Sequence, residues 1–227
     1  IVRHPLLRLV SLMDHTPGVG QYADLARYRA MRVRDGDAAD AVEHGILRLQ
    51  AQRGATRGPN RAALLAMMRR DAPGVALASH DDRSAQDVAE NIADGIPIAE
   101  FPVTLDAARQ ARAGGQRVIA GAPNLVRGGS HTGNVAAAEL LRAGLIDALA
   151  SDYVPASLVE AAFLAASDHG LPLPDAVRLV SSAPAAMVGL TDRGSLVPGQ
   201  RADLVRVRVH DGLPVVRQVW RGGGRVI

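Results

Sequence analysis

An α/β fold, with parallel strands covered by helices, is what this sequence predicts. Three observations carry that expectation. Short, almost continuously apolar segments recur between residues 75 and 153. Each is followed by an amphipathic segment that stops at glycine. After Gly189 the helical periodicity gives way to strict alternation. Strands buried on both faces lose the polar alternation of a one-sided sheet, and a parallel return needs a helical crossover.

The elements follow in order. LRLVSLMD (7–14) is suited to a buried strand, ended by Pro17 and Gly18. Residues 22–52 read as helices, with Leu25, Tyr28 and Met31 on one face and Ile46 and Leu49 on another. RGATRGPNR (53–61) reads as a loop, and 60–71 as a further helix before Pro73–Gly74. VALASHDD (75–82) is a strand, 84–94 a helix stopped by Gly95, and IPIAEFP (96–102) a strand. Helix 104–113 stops at Gly114–Gly115, and RVIAGAPN (117–124) is the next strand. A helix over 134–143, capped by Asn134 or Thr132, precedes the strand LIDALASDY (145–153). Helices over 155–169 and 174–188 close the series. LVRVRV, then DG, then VVRQVW describe an antiparallel hairpin in a small β element.

Composition narrows the function. With 48% hydrophobic residues but one Trp, three Tyr and two Phe, the core must be filled by Ala, Val and Leu. No cysteine means no disulfide and no thiolate chemistry. This suits a reducing, cytoplasmic setting. All 26 basic residues are Arg, so lysine chemistry is absent as well. The net charge of +3 is scattered among acids, and stacking aromatics are few. Nucleic acid is therefore not indicated as a partner. No apolar run reaches membrane-span length, so no membrane is expected either.

Ligand sites in parallel α/β folds lie beyond the C-terminal ends of the strands. The first strand here ends in Asp14–His15, the second in His80–Asp81–Asp82, and the third carries Glu100. The fourth delivers Asn124 and Arg127, with His131 just beyond, and the last ends in Asp152. A single histidine at a strand end is more often structural than a ligand. The conjunction of His15, His80 and Asp152 at the same end of separate strands instead matches a divalent metal that activates water. Imidazole and carboxylate suit zinc, iron or manganese, and the carboxylate could accept the water's proton.

Other groups have simpler roles. Asp81 and Asp82, just before Ser84, are read as N-capping and helix-dipole residues. Asp14 either satisfies loop amides or does chemistry. Glu100 either pairs with an arginine or does chemistry. His4, His44, His169 and His210 are read as surface residues, and Asp203 as a turn residue. The polar segment NLVRGGSHTGN (124–134) leaves a strand end on the ligand face. Its Arg127 can grip phosphate oxygens, Gly128 and Gly129 let backbone amides approach an anion, and a helix starts near Asn134. It is not a nucleotide P-loop, because GK[ST] is absent.

The runs SLMDHTPG (11–18), ASHDD (78–82), AEFPVT (99–104), GAPNLVRGGSHTGN (121–134) and SDYVPASL (151–158) carry a resemblance. They resemble the metal-dependent hydrolases of the bacterial phosphonate (carbon–phosphorus lyase) pathway, in the amidohydrolase superfamily. The tail GSLVPGQRADL (194–204) is similar to the superfamily's ending. The resemblance implies a distorted TIM-type (β/α)₈ barrel with one or two divalent ions and a small β-sandwich built from both chain ends. It implies that His15 ends strand five, His80 strand six, and Asp152 strand eight, with Asp152 both ligand and proton acceptor. Asn124, Arg127 and His131 then become candidates for holding phosphates.

The implied substrate is a phosphorylated sugar, a ribose 1-methylphosphonate bearing a 5-triphosphate, cleaved to the 5-phosphate and pyrophosphate. The superfamily's His-x-His pair and its strand-four carboxylate or modified lysine have no counterpart here. The chain is therefore expected to hold strands five to eight over 1–189 and part of the β subdomain over 190–227. Alone, it is expected to be inactive or poorly folded, which a turnover assay with excess zinc or manganese would test. Two alternatives stay open: another amidohydrolase acting on a cyclic amide or amine, and a non-catalytic truncated half-barrel. Homo-oligomerisation is left open.

Overall fold

The computed structural model describes residues 3–130 and 133–227. They pack as two units, 3–116 with 133–134, and 117–130 with 135–227.

In the first unit, β1 (Leu9–Leu12), β2 (Ala76–His80) and β3 (Ile98–Glu100) are parallel. Leu12 pairs with Ser79, and His80 with Glu100, so these strands end side by side. A 3-10 turn (Gly20–Tyr22) and α1 (Leu25–Arg34) follow β1. The crossover to β3 is α3 (Ala85–Ala93), whose start is fixed locally. Ser84 Oγ accepts from the Asp87 amide, and Asp87 Oδ2 accepts from the Ser84 amide, a reciprocal capping box. Next, α4 (Leu105–Ala113) is capped by Thr104 and turns Ala107, Ala108 and Ala111 fully inward. Side chains that stop at Cβ let it pack closely on α3.

The expected loop at 53–61 is not a loop. One helix, α2, runs from Ala39 to Asp71 with Pro59 inside it. Val42 and Ile46 bury one end, and Leu65 and Met68 the other, while residues 51–60 are exposed throughout. The hydrogen bond that Pro59 removes leaves a carbonyl facing water, where the loss is small, and anchors at both ends override the low local propensity.

In the second unit, β4 (Arg117–Gly121) and β5 (Ala148–Ala150) are parallel. Between them lie α5 (Ala122–Arg127) and α6 (Ala137–Arg142). The NLVR of the polar segment is thus helical, and α6 starts three residues later than expected. After β5 come α7 (Ser157–Ser167), α8 (Leu173–Arg178) and α9 (Ser182–Met187). The single helix expected over 174–188 is broken between α8 and α9. Pro184 cannot donate to Val180, and its ring would meet that carbonyl in a continuous helix. The hairpin β6 (Leu204–His210) and β7 (Leu213–Arg221) turns at Asp211–Gly212, both left-handed, and β8 (Gly224–Arg225) adds a third strand. No described helix is long and apolar enough to cross a membrane.

Candidate metal centre

The site lies in the first unit, where β1, β2 and β3 end. His15 leaves the loop after β1, His80 closes β2, and Asp81 follows directly. One ligand atom from each lies within 4.8 Å of the others. Nε2 of His15 and Nε2 of His80 each stand 3.5 Å from Asp81 Oδ2. His80 and Asp81 form the floor, with side chains 5% and 6% exposed, and His15 stands at the mouth with 36%.

The surroundings prepare His80 as a ligand. Its Nδ1 is 2.8 Å from Glu100 Oε2 and 3.1 Å from Ser11 Oγ, and Ser11 also donates to Glu100. A carboxylate acceptor puts the ring proton on Nδ1 and leaves the Nε2 lone pair directed at Asp81. Glu100 therefore pairs with a histidine rather than with an arginine. Burial raises its pKa, but the hydrogen bonds from His80 and Ser11 outweigh this and hold the carboxyl below its ordinary value. Rings brace both imidazoles: Tyr22 meets His15 edge-on at 5.5 Å, and Phe101 meets His80 at 5.5 Å.

Asp81 is not an N-cap. Ser84 and Asp87 do that work, and Asp81 instead extends the strand pairing, its amide donating to the Glu100 carbonyl at 3.0 Å. Its backbone is left-handed, with φ 58°, which throws the carboxylate inward. Burial pushes the carboxyl up to about 6, with His80 opposing and Glu100 reinforcing the shift. Oδ2 is buried and accepts no hydrogen bond among the described residues. A buried carboxylate oxygen 3.5 Å from two imidazole nitrogens is a donor set that fits a divalent metal.

Asp82 does not cap either. Its Oδ2 accepts from Ser79 Oγ at 2.5 Å and its Oδ1 from Asn91 Nδ2 at 2.7 Å, while Asn91 Oδ1 accepts from Arg61 at 2.6 Å. Asp14 takes the loop role, accepting from the Thr16 amide and hydroxyl and pairing with Arg57 at 3.2 Å.

Three contributors escaped the sequence reading. A Cβ on Gly20 would lie 2.9 Å from Asp81 Cβ, so the turn approaches Asp81 only because position 20 is glycine. Gln21 Nε2 is 3.1 Å from His15 Nε2. Tyr22 stacks as described. The only sequence signal was the glycine pair in GVGQY. Gly20 lines a cleft of about 1180 Å³ together with His15, His80 and Asp81.

The remaining expected site residues lie in the second unit or outside the described residues. Asp152 follows β5 with a left-handed backbone, φ 47°. Asn124 spends its amide on the backbone: Oδ1 accepts from the Ala137 amide at 2.9 Å, and Nδ2 donates to the Val135 carbonyl at 3.3 Å. It thereby caps α6, in place of Asn134. The Gly128 and Gly129 amides close α5 onto Leu125 and Asn124, so neither is free for an anion. Arg127 is exposed and donates to Tyr153 Oη at 3.1 Å. His131 and the alternative cap Thr132 lie outside the described residues. His4, His44 and His210 are exposed as expected, and His169 is half-buried.

Residues 72–226 match the profile of the amidohydrolase family. Alpha-D-ribose 1-methylphosphonate 5-triphosphate diphosphatase of Escherichia coli (strain K12) is 46% identical over 232 positions, covering all of this chain. The chain spans 60% of that relative's length. An imidazolonepropionase of Streptomyces griseus subsp. griseus is 36% identical over 104 residues, covering 40% of this chain and 27% of that protein. Among solved structures, an amidohydrolase from Thermotoga maritima MSB8 superposes with a TM-score of 0.59 at 19% identity, covering 96% of this chain and 62% of its own.

Proposed function

Because the chain belongs to the amidohydrolase family, we propose that it forms part of a metal-dependent hydrolase that cleaves a ribose 1-methylphosphonate 5-triphosphate to the 5-phosphate and pyrophosphate. The observation that carries the hydrolase reading is the buried Asp81 Oδ2, which accepts no hydrogen bond among the described residues and faces two imidazole nitrogens at 3.5 Å. The substrate rests on the 46% identity to the Escherichia coli diphosphatase.

His15, His80 and Asp81 would hold zinc, manganese or iron, as one or two ions. When bound, the metal supplies Lewis-acid stabilisation of developing charge and lowers the pKa of a water. The chain's own groups do the rest. Glu100 and Ser11 fix the His80 ring, and Tyr22 and Phe101 wall the imidazoles. In this proposal Asp152 is also a ligand and takes the proton of the water that attacks phosphorus, as the phosphorus–oxygen bond to pyrophosphate breaks. Arg127 and His131 would bind phosphate oxygens. Asn124, in the same expected trio, is already committed to the α6 cap. The small-molecule partner is a phosphorylated sugar, and the setting is cytoplasmic.

The test is turnover by the protein that carries this chain, supplied with zinc or manganese. Pyrophosphate release is expected, and His80→Ala should abolish it. A second reading, an amidohydrolase with a cyclic amide or amine substrate, is favoured by the match to imidazolonepropionase. Turnover of a cyclic amide without pyrophosphate release from the triphosphate would select it and overturn the first.

A further inference from the structure

The middle of α2 has no packing role. Residues 51–60 are exposed, while both ends of the helix are anchored in the core. Yet this stretch lines the cleft that holds His15, His80 and Asp81, through Arg53 and Arg57 among others, and Arg61, just beyond the stretch, lines it too. Residues four apart on a helix lie about 40° apart around its axis, so these three arginines form one row along the cleft. Consecutive members are about 5–6 Å apart at Cβ, comparable with the length of a short polyphosphate.

The three are held differently. Arg61 is anchored, with Nε on Asp94 at 2.9 Å and NH2 on Asn91 at 2.6 Å. Arg57 is tethered at the cleft by Asp14, the residue before His15, at 3.2 Å. Arg53 carries no ion pair among the described residues. Arg83 adds a further cation from the turn before α3. A solvated helix that needs only polarity would not have to gather guanidinium groups on the face turned to a metal-binding cleft.

We propose that Arg53 and Arg57 form a polyphosphate-binding row, gripping the phosphates of the substrate beside the metal centre. The proposal rests on the triphosphate reading above and adds, to the phosphate contacts proposed for Arg127 and His131, a second set from outside the segment 124–134. Guanidinium pairs with phosphate oxygens bidentately, and Arg57 can exchange its Asp14 partner for a phosphate. Arg61, tied to the buried Asn91–Asp82 pair, fixes the row's distance from Asp81.

The test is calorimetric titration of inorganic triphosphate into the metal-free form of the protein that carries this chain, because triphosphate chelates free zinc. Arg53→Gln and Arg57→Gln should each weaken binding about tenfold, because each loses a charge-assisted pair to phosphate oxygens; the double variant should weaken it further. Arg48→Gln removes the same charge from α2 but lies outside the cleft, and it should bind as the parent does. Equal binding by the double variant and the parent would overturn the row while leaving the proposed substrate intact. A loss seen only with Arg127→Gln would do the same. No triphosphate binding by the unsubstituted protein would overturn both the row and the proposed substrate.

Discussion

Replacing Asp81 with asparagine should stabilise the metal-free chain above pH 6 while removing its response to zinc. Burial holds the Asp81 carboxyl at about 6 rather than its ordinary 3.8. The folded state therefore binds this proton more tightly than the unfolded chain does. The sign follows directly: the stabilising effect of protonation is complete below pH 3.8 and is lost as pH rises through 6. A shift of about 2 units at about 1.36 kcal/mol each is a cost of about 3 kcal/mol at neutral pH. Asparagine mimics the protonated acid and tolerates the left-handed backbone at φ 58°. Chemical or thermal unfolding in a chelator should show the variant level with the parent near pH 4 and about 2–3 kcal/mol more stable at pH 7.5. In a domain of this size each kcal/mol is worth about 2–4 °C in Tm. Zinc at a hundredfold excess over its Kd should stabilise the parent by about 2.7 kcal/mol and the variant hardly at all. A variant no more stable than the parent at pH 7.5, or a gap that does not change between pH 4 and 6, would refute the reasoning.

Glu100→Gln should leave the fold intact but weaken zinc binding about 10–100-fold, read by competition with a chromogenic chelator, because the His80 ring loses its carboxylate partner. Gly20→Ala should lower stability by about 1–3 kcal/mol and weaken zinc binding too, since its Cβ would press on Asp81 at 2.9 Å with φ at 52°; an unchanged zinc isotherm would count against the close approach. Asn124→Ala should cost about 1 kcal/mol by removing the cap on Ala137, with no change in zinc affinity.

Some of this site was legible in the chain and some was not. The periodicity placed β1, β2 and β3 within a few residues, and with them His15 and His80 at one end of a parallel set. Asp81 was legible as a carboxylate but not in its role. A helix was visible three residues later, and capping is the commonest use of an acid there. What moved it was the left-handed turn at the end of β2 and a capping box already complete in Ser84 and Asp87. Residues 53–61 failed for a related reason. Two glycines and a proline describe a loop locally, and the anchors that make them helical lie seven or more residues before and four or more after. In the segment 124–134 the donors were counted correctly, but Asn124 and the two glycine amides were already taken by α5 and α6.

The sequence alone determined the strand–helix alternation, the terminal hairpin and the family motifs. Each depends on residues within a few positions of one another. Only the tertiary structure decided which carboxylate faces the two imidazoles, that Glu100 orients His80, that Gly20 must lack a side chain, and that arginines of α2 line the cleft. Those relations join β1, β2, β3 and a distant helix, and distance in space between side chains far apart in the chain is not written in local pattern.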